Sequence, residues 1–386
     1  VEPKLQQWLA DTRRDFHMHP EISHKEKRTT QKIIEVLKGL KIDAQPFPDI
    51  TGAVGLIEVK SKGPTIALRA DIDALPIQEL CEVAYKSQYP GAMHACGHDA
   101  NTTIMLGVAK TLIESGRHKA LKGNVKFLFQ PAEERGAGAK AMIERDVLEN
   151  PRVDRIIAGH MSPDLPAGKV GIFRGLGYAS ADRFDLLITG KGAHGARPEE
   201  GNDPIVAGAQ VGNSIQSIVA RNIKPTEAAV ITVGKLKSGE AENVIPETAH
   251  LAGSIRALSE DIRTKVHRRL TEIAAGLEKT FNANCKFQIL QGVPTLENDI
   301  GVAEFLFEVS QSVLGNENVQ YLPPIMGSED FSYFTHQRPS AIMRLGCSNP
   351  HKGLTPRLHS PHFDIDEQVL GVGVAIFSAA VIRFLS

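Results

Sequence analysis

Thr65-Ile-Ala-Leu-Arg-Ala70 runs directly into Asp71-Ile-Asp73. A short run rich in apolar and β-branched residues reads as a strand, so the acidic pair sits at its carboxyl end. The same arrangement recurs twice. Val125-Lys-Phe-Leu-Phe129 leads into Gln130-Pro-Ala-Glu-Glu134, and Arg155-Ile-Ile-Ala158 into Gly159-His160. Around these runs the period changes. Arg28 to Leu40 places Ile33, Ile34, Leu37 and Leu40 on one helical face, and Thr102 to Ser115 does so with Ile104, Val108 and Leu112. Ala53–Val59 reads as a further strand. After Pro294 come a helix over Val302–Val313, a loop around Met326–Phe331, a strand over Ala341–Leu345 and a last helix over Glu367–Leu385. This alternation predicts an α/β domain with a mixed, largely parallel sheet flanked by helices. Ligands of open α/β sheets bind beyond the carboxyl ends of the strands, so the three polar clusters should meet at one sheet edge.

A second pattern is inserted near Ala179. Strand Arg183–Ile188, helix Asp203–Val219, strands Ala228–Val233 and Ala249–Ile255, helix Ser259–Phe281 and strand Cys285–Leu290 follow in the order β-α-β-β-α-β. That order is ferredoxin-like. The expected division is 1–179 with 294–386 as one domain and 180–293 as an inserted α+β domain. Neither repeats nor low-complexity segments stand out.

Composition narrows the class. With 386 residues, 42% of them hydrophobic and 23% charged, the chain can build sizeable cores in two or three domains. A net charge of −1 offers no basic patch or tail, so neither nucleic acid nor a membrane surface is expected as a partner. No apolar run approaches the roughly 20 residues of a bilayer span, and Val1-Glu-Pro-Lys-Leu5 lacks a signal-peptide pattern. Four widely spaced cysteines, Cys81, Cys96, Cys285 and Cys347, do not form a disulfide framework. A cytoplasmic protein with reduced thiols is expected.

The chemistry begins at His94-Ala-Cys-Gly-His-Asp99, where Cys96 and His98 flank a glycine in what reads as a loop. Together with Glu134, His160 and His359 they form a set of five candidate metal ligands. Hydrolytic zinc sites take three protein ligands and a water; five ligands suit two metals, typically about 3.5–4 Å apart. One thiolate, three imidazoles and a carboxylate favour Zn, Mn, Co or Ni over Mg or Ca. His362, three residues from His359, is a rival ligand. The His17-Met-His19 pair, at the end of the first helix, reads as structural. Glu133 and Glu134 point opposite ways if the chain is extended there, so one can bind metal while the other handles the proton of the attacking water.

At these residues the chain resembles the metal-dependent aminoacylase/carboxypeptidase family, in particular its branch of hippurate, auxin-conjugate and N-acetyl-diaminopimelate hydrolases. The stretches that carry the resemblance are His17–Glu21, Leu68–Pro76, His94–Asp99, Gln130–Glu134, Gly192–His194, Asn243–Pro246, Gly327–Phe331 and Leu358–Pro361. The resemblance implies a two-metal centre held by Cys96, His98, Glu134, His160 and His359, with His359 preferred to His362. It implies Glu133 as general base, Asp73 as a supporting carboxylate and His194 as a stabiliser of the oxyanion, supplied in some relatives by the partner subunit of a dimer. Asn243 and Arg256 match positions that hold a substrate carboxylate, a task for which a planar guanidinium is suited. It also makes the inserted domain a lid and dimerisation domain. Asn101 and Glu199 depart from the family, which often has histidine at both positions; the departures bear on specificity.

The expectation is therefore a hydrolase with two divalent metals, forming a homodimer or higher homo-oligomer. It would cleave the amide bond of N-acyl amino acids or remove a C-terminal residue from small peptides. The alternatives are a catalytically silent binding protein on the same fold and a doubly wound oxidoreductase. Intact Glu133 and His194 argue against the first, and a missing G-x-G-x-x-G after the first strand against the second.

Overall fold

All seven residues of strand Thr65–Asp71 are buried, which places it inside a sheet covered on both faces. The computed structural model describes residues 1–59 and 63–386, and the chain divides into two compact units. The first comprises Val1–Gly175, Glu297–Pro323 and Asp330–Ser386. Its sheet has eight strands in the order Asp43–Pro46, Ala53–Ile57, Asn124–Gln130, Thr65–Asp71, Arg155–Pro166, Ser340–Ser348, Val170–Phe173 and Val319–Leu322. The four strands from Asn124–Gln130 to Ser340–Ser348 pair in parallel. Their side chains are almost continuously buried, as a sheet with helices on both faces requires. The sheet is mixed and largely parallel, flanked by helices, as expected.

Register decides where the polar clusters fall. Asp71 pairs with Gln130 at the carboxyl ends of two adjacent strands. On the other side of Thr65–Asp71 the ladder ends with Arg69 opposite Ala158. The next strand, read from the sequence as Arg155–Ala158, instead continues to Pro166, because Ser340–Ser348 pairs with it over that length. His160 therefore lies within a strand, two residues beyond the point where one neighbour stops.

Helix His98–Glu114 begins four residues before the predicted Thr102. Gly97, at φ +82°, occupies the position before its first turn, and Asp99 sits where a carboxylate meets the positive end of the helix dipole. His98, expected in a loop, is thus fixed on a helix. The C-terminal helix Gln368–Leu385 is 18 residues long and, among the described residues, is the one helix long and apolar enough to cross a membrane. The expectation that no apolar run approaches a bilayer span does not hold for this helix. In this fold Val369, Leu370, Val374, Ile376, Phe377, Ala380 and Val381 are buried in the core.

The second unit, Leu176–Leu296 with Pro324–Glu329, has a four-stranded antiparallel sheet ordered Ala229–Ser238, Thr248–Ala257, Ala181–Thr189, Asn284–Val293. Buried and exposed residues alternate along Ala181–Thr189, so one face is packed. Helices Pro204–Asn222 and Glu260–Phe281 supply Val211, Ile215, Ile218, Val266 and Leu270 to the core against Phe184, Leu186, Ile188 and Leu251. Asp203 and Ser259 cap these helices, accepting from Ile205 N and Ile262 N. Residues 324–329, expected in the first domain, pair with this unit: Ile325 N donates to Gly177 O, and Ala179 N to Gly327 O.

Candidate metal centre

The first unit brings five of the sequence-selected residues to one place. Sγ of Cys96 and one ring nitrogen each of His98 and His160 lie within 4.8 Å of one another, all three buried. Cys96, Glu134 and His359 satisfy the same limit, as do His98, Glu133 and Glu134. Cys96 thus belongs to two overlapping groups of donors. Its Sγ is 3.6 Å from Nε2 of His160, and Glu134 Oε1 is 3.4 Å from Nε2 of His359. The His359 side chain is 53% exposed, so the donor set runs from the core to the surface.

Backbone geometry sets these side chains. A Cβ at Gly97 would lie 2.6 Å from Cγ of Met161; only glycine permits both that approach and the positive φ. Cys96 and His98 consequently reach the same point from either side of a tight turn. His359 has φ +66°, and its N–H donates to Ala95 O at 2.8 Å, tying the last ligand candidate to the first. Ala132, at φ +52°, turns the chain out of strand Asn124–Gln130. Glu133 and Glu134 lie on a single 3-10 turn, Glu133–Arg135. They are not extended neighbours pointing opposite ways; with three residues per turn they diverge by about 120°.

Hydrogen bonds orient the imidazoles. Nδ1 of His98 donates to Asp73 O at 2.9 Å and Nδ1 of His160 donates to Met161 O at 2.9 Å. A carbonyl only accepts, so in the neutral rings Nδ1 carries the proton and the Nε2 lone pairs face the donor cluster. Arg344 Nη1 also lies 3.3 Å from His160 Nδ1; the carbonyl is nearer and settles the tautomer. Among the described residues, two buried atoms of the cluster, Nε2 of His98 and Oε1 of Glu134, make no hydrogen bond, the latter facing Nε2 of His359 at ion-pair distance. Leaving buried polar atoms unpaired is costly, and a bound cation resolves both. The residues fit a metal site.

Charges around the cluster are strongly perturbed. Burial pushes the Cys96 thiol well up, with Glu134 adding to it. Burial disfavours a charged His98, but Asp71 and Cys96 outweigh it and hold the imidazole well above its ordinary value. Burial, with help from Arg344, pushes His160 down to about 3. Burial opposes ionisation of Asp71, yet His98, Arg69 and His160 keep it below the carboxylate range.

Among the residues that support the cluster, Asp71 and Gln130 were visible in the sequence only as members of polar runs at strand ends, and Arg69 was not singled out. Asp71 accepts from Arg69 Nη1 and from Asn101 Nδ2, both at 2.7 Å. Asp330 accepts from Gln130 Nε2 at 2.7 Å, Arg69 Nη2 at 3.1 Å and Ala139 N at 3.1 Å. The signal was present: Arg69 and Asp71 are charges inside a wholly buried apolar run, and buried charges imply partners. Asp73 stands at the end of the same run, and its Oδ2 accepts from Glu134 N at 3.1 Å. His17 is buried beside Asp99, with Nδ1 to Oδ2 at 2.7 Å, and His362 is exposed; neither belongs to the groups above.

The remaining selected residues lie in the second unit. His194, exposed, pairs with Val244 in a short ribbon of Ala193–His194 and Val244–Ile245, and Gly195 N donates to Asn243 O at 2.8 Å. His194 and Asn243 are therefore neighbours. Its Nδ1 accepts from Ala196 N at 3.0 Å, which leaves Nε2 to carry the proton. Arg256 lies on strand Thr248–Ala257 with Nη1 buried and without a hydrogen-bond partner.

Comparison with known proteins places the chain in a family. The profile of Peptidase family M20/M25/M40 matches residues 67–383. The chain is 34% identical to thermostable carboxypeptidase 1 of Saccharolobus solfataricus over 385 residues, covering 99% of this chain and 96% of the relative. It is 37% identical to N-acetylcysteine deacetylase of Bacillus subtilis over 380 residues, covering 98% and 97%. A solved Bacillus subtilis structure, described as a dinuclear metal binding peptidase from the M20 family, superposes with a TM-score of 0.86 at 32% identity, covering 100% of this chain and 99% of that one. The chain belongs to Peptidase family M20/M25/M40.

Proposed function

We propose that this protein is a metal-dependent amidohydrolase of the aminoacylase/carboxypeptidase type. It cleaves the amide bond of N-acyl amino acids or the C-terminal bond of small peptides. The observation that carries this reading is the donor cluster of Cys96, His98, Glu134, His160 and His359 with a second carboxylate, Glu133, beside it. The relatives named carboxypeptidase and N-acetylcysteine deacetylase support the reaction class, and the dinuclear structure supports two divalent ions. Cys96, His98, Glu134, His160 and His359 would hold them; a thiolate among imidazoles suits Zn, Mn, Co or Ni.

When bound, the metals supply the Lewis acidity that makes water a nucleophile near neutral pH. The rest is the work of the chain. Glu133 takes the proton of the attacking water and delivers it to the leaving amine, as base and then acid. His194, with Nε2 protonated, donates to the developing oxyanion. Asn243 and Arg256 bind the substrate carboxylate, and Asp73 holds His98 through its carbonyl. The wide spacing of the four cysteines along the chain supports a cytoplasmic location, and the family resemblance supports a homo-oligomer.

The test is an assay of N-acetyl and N-benzoyl amino acids and dipeptides with each of the four metals. Turnover of any of them, abolished by a chelator, is expected; no turnover with any metal overturns the reading. Glu133→Ala should retain both metals by elemental analysis and lose about 1,000-fold or more in kcat. Activity near that of the wild type would remove Glu133 from its role.

A further inference from the structure

The turn between the first two helices, Pro3–Met18 and Lys27–Gly39, reaches both loops that carry the chemistry. Glu26 is wholly buried. Its Oε1 accepts from Ala132 N at 2.8 Å, and its Oε2 accepts from the Thr51 hydroxyl at 2.6 Å. One turn further on, Thr30 Oγ1 donates to Glu26 O at 2.5 Å and accepts from Gly52 N at 2.8 Å. At Gly52 a Cβ would sit 2.7 Å from Cδ of Pro131, so this strand end packs directly on the residue before Ala132.

Ala132 has φ +52° and ψ +37°, a left-handed conformation that costs a residue with a Cβ more than it costs glycine. Its amide is held by Glu26, and the next residue is Glu133. On the far side of Glu133 the amide of Glu134 donates to Asp73 Oδ2 at 3.1 Å. That same oxygen accepts from the Ser23 hydroxyl at 2.7 Å. The turn itself is anchored: Glu21 O accepts from Ala74 N, and the Glu21 carboxylate accepts from Arg28 N and Thr29 N.

The geometry points to Glu26 and Ser23 as positioning residues for Glu133: one turn holds the amide of the preceding residue, Ala132, directly and that of the following residue, Glu134, through Asp73. A carboxylate buried merely to fill a core is a costly choice against an apolar side chain. Here it matches an amide that must face it for Ala132 to keep its strained conformation. Neither residue belongs to the metal-donor groups. The inference rests on the reading of Glu133 as the proton carrier.

The test uses the metal-loaded enzyme and the best substrate of the assay above. Glu26→Ala removes the acceptor and should lower kcat about 100-fold, the scale of a displaced catalytic group, with KM and metal content little changed. Glu26→Gln keeps an oxygen for Ala132 N and should restore kcat to within about threefold. Exchange of the Ala132 amide with deuterium should be fast in the first variant and slow in the second. Wild-type kcat in Glu26→Ala overturns the inference, as does an equal fall in both variants. If Glu26→Ala does not fold, Ser23→Ala decides: about a tenfold fall in kcat with both metals present supports the clamp, and an unchanged kcat overturns it. Glu133→Ala, run in parallel, separates the two readings. If it is inactive while the turn variants are fully active, the base assignment stands and the clamp falls.

Discussion

Gly97 separates the two donors that first drew attention to the site, and its missing side chain does more than join them. A Cβ there would meet Met161 Cγ at 2.6 Å and Cβ at 2.9 Å, on a backbone already at φ +82°. Met161 follows His160 on its strand, so any relief of the clash moves Cys96 and His98 away from His160. Gly97→Ala is therefore expected to destabilise the protein by about 2–3 kcal/mol and to weaken metal uptake. Thermal unfolding of the metal-loaded variant and competition with a chelator measure the two effects. A variant that melts like the wild type and keeps its metals would show that the close approach does not set the pair. The sequence displayed the donors and the glycine between them. It could not display Met161, which comes from a strand 64 residues away in the same cluster, since Cys96 and His160 meet only through sheet topology.

At the scale of elements, apolar period identified the central strands and the long helices but not the short strands Asp43–Pro46, Val170–Phe173 and Val319–Leu322, which pairing creates, and other differences arise where pairing or a cap overrides period. Arg155–Pro166 is longer than its apolar run because Ser340–Ser348 pairs along it. Helix His98–Glu114 starts at polar residues because its first turn is buried against the site. In the second unit, strand Ala181–Thr189 is joined to helix Glu260–Phe281 by charge as well as packing. Asp182 accepts from Arg263 Nε at 2.8 Å and Nη2 at 2.7 Å, from Gly292 N at 2.8 Å, and lies 2.8 Å from His267 Nε2. Burial pushes the Asp182 carboxyl up, but His267, Arg263 and Gly292 N outweigh it and hold it below the carboxylate range. A depressed folded value means stability present above the unfolded pKa of about 4 and lost as pH falls through the folded value. Asp182→Asn should cost about 3 kcal/mol at neutral pH. The gap to wild type should narrow below about pH 4, measured by urea unfolding at a series of pH values. A gap independent of pH would show that the ionised carboxylate is not what matters.

The whole molecule has two cores. One gathers Leu9, Phe16, Leu68, Phe127, Ile157, Phe377 and their neighbours around the eight-stranded sheet; the other gathers Phe184, Ile215, Leu251 and Leu270. The change of period near residue 180 made the second one legible, whereas the return of residues 324–329 to it was not, because that depends on backbone pairing with Gly177 and Ala179. All five metal-ligand candidates belong to the first unit. Metal binding should therefore stabilise that unit selectively. Each ion present at about 1,000 times its Kd contributes about 4 kcal/mol. For a unit of this size each ion is worth a shift on the order of 10 °C; without them Nε2 of His98 and Oε1 of Glu134 stay buried without a hydrogen bond among the described residues. Calorimetry of chelated and metal-loaded protein should show one transition lowered by chelation and restored by added divalent ion. Asp182→Asn should lower the other, which assigns each transition to its unit. If chelation moved the transition that Asp182→Asn moves and left the first in place, the ligands would have to be sought in the second unit.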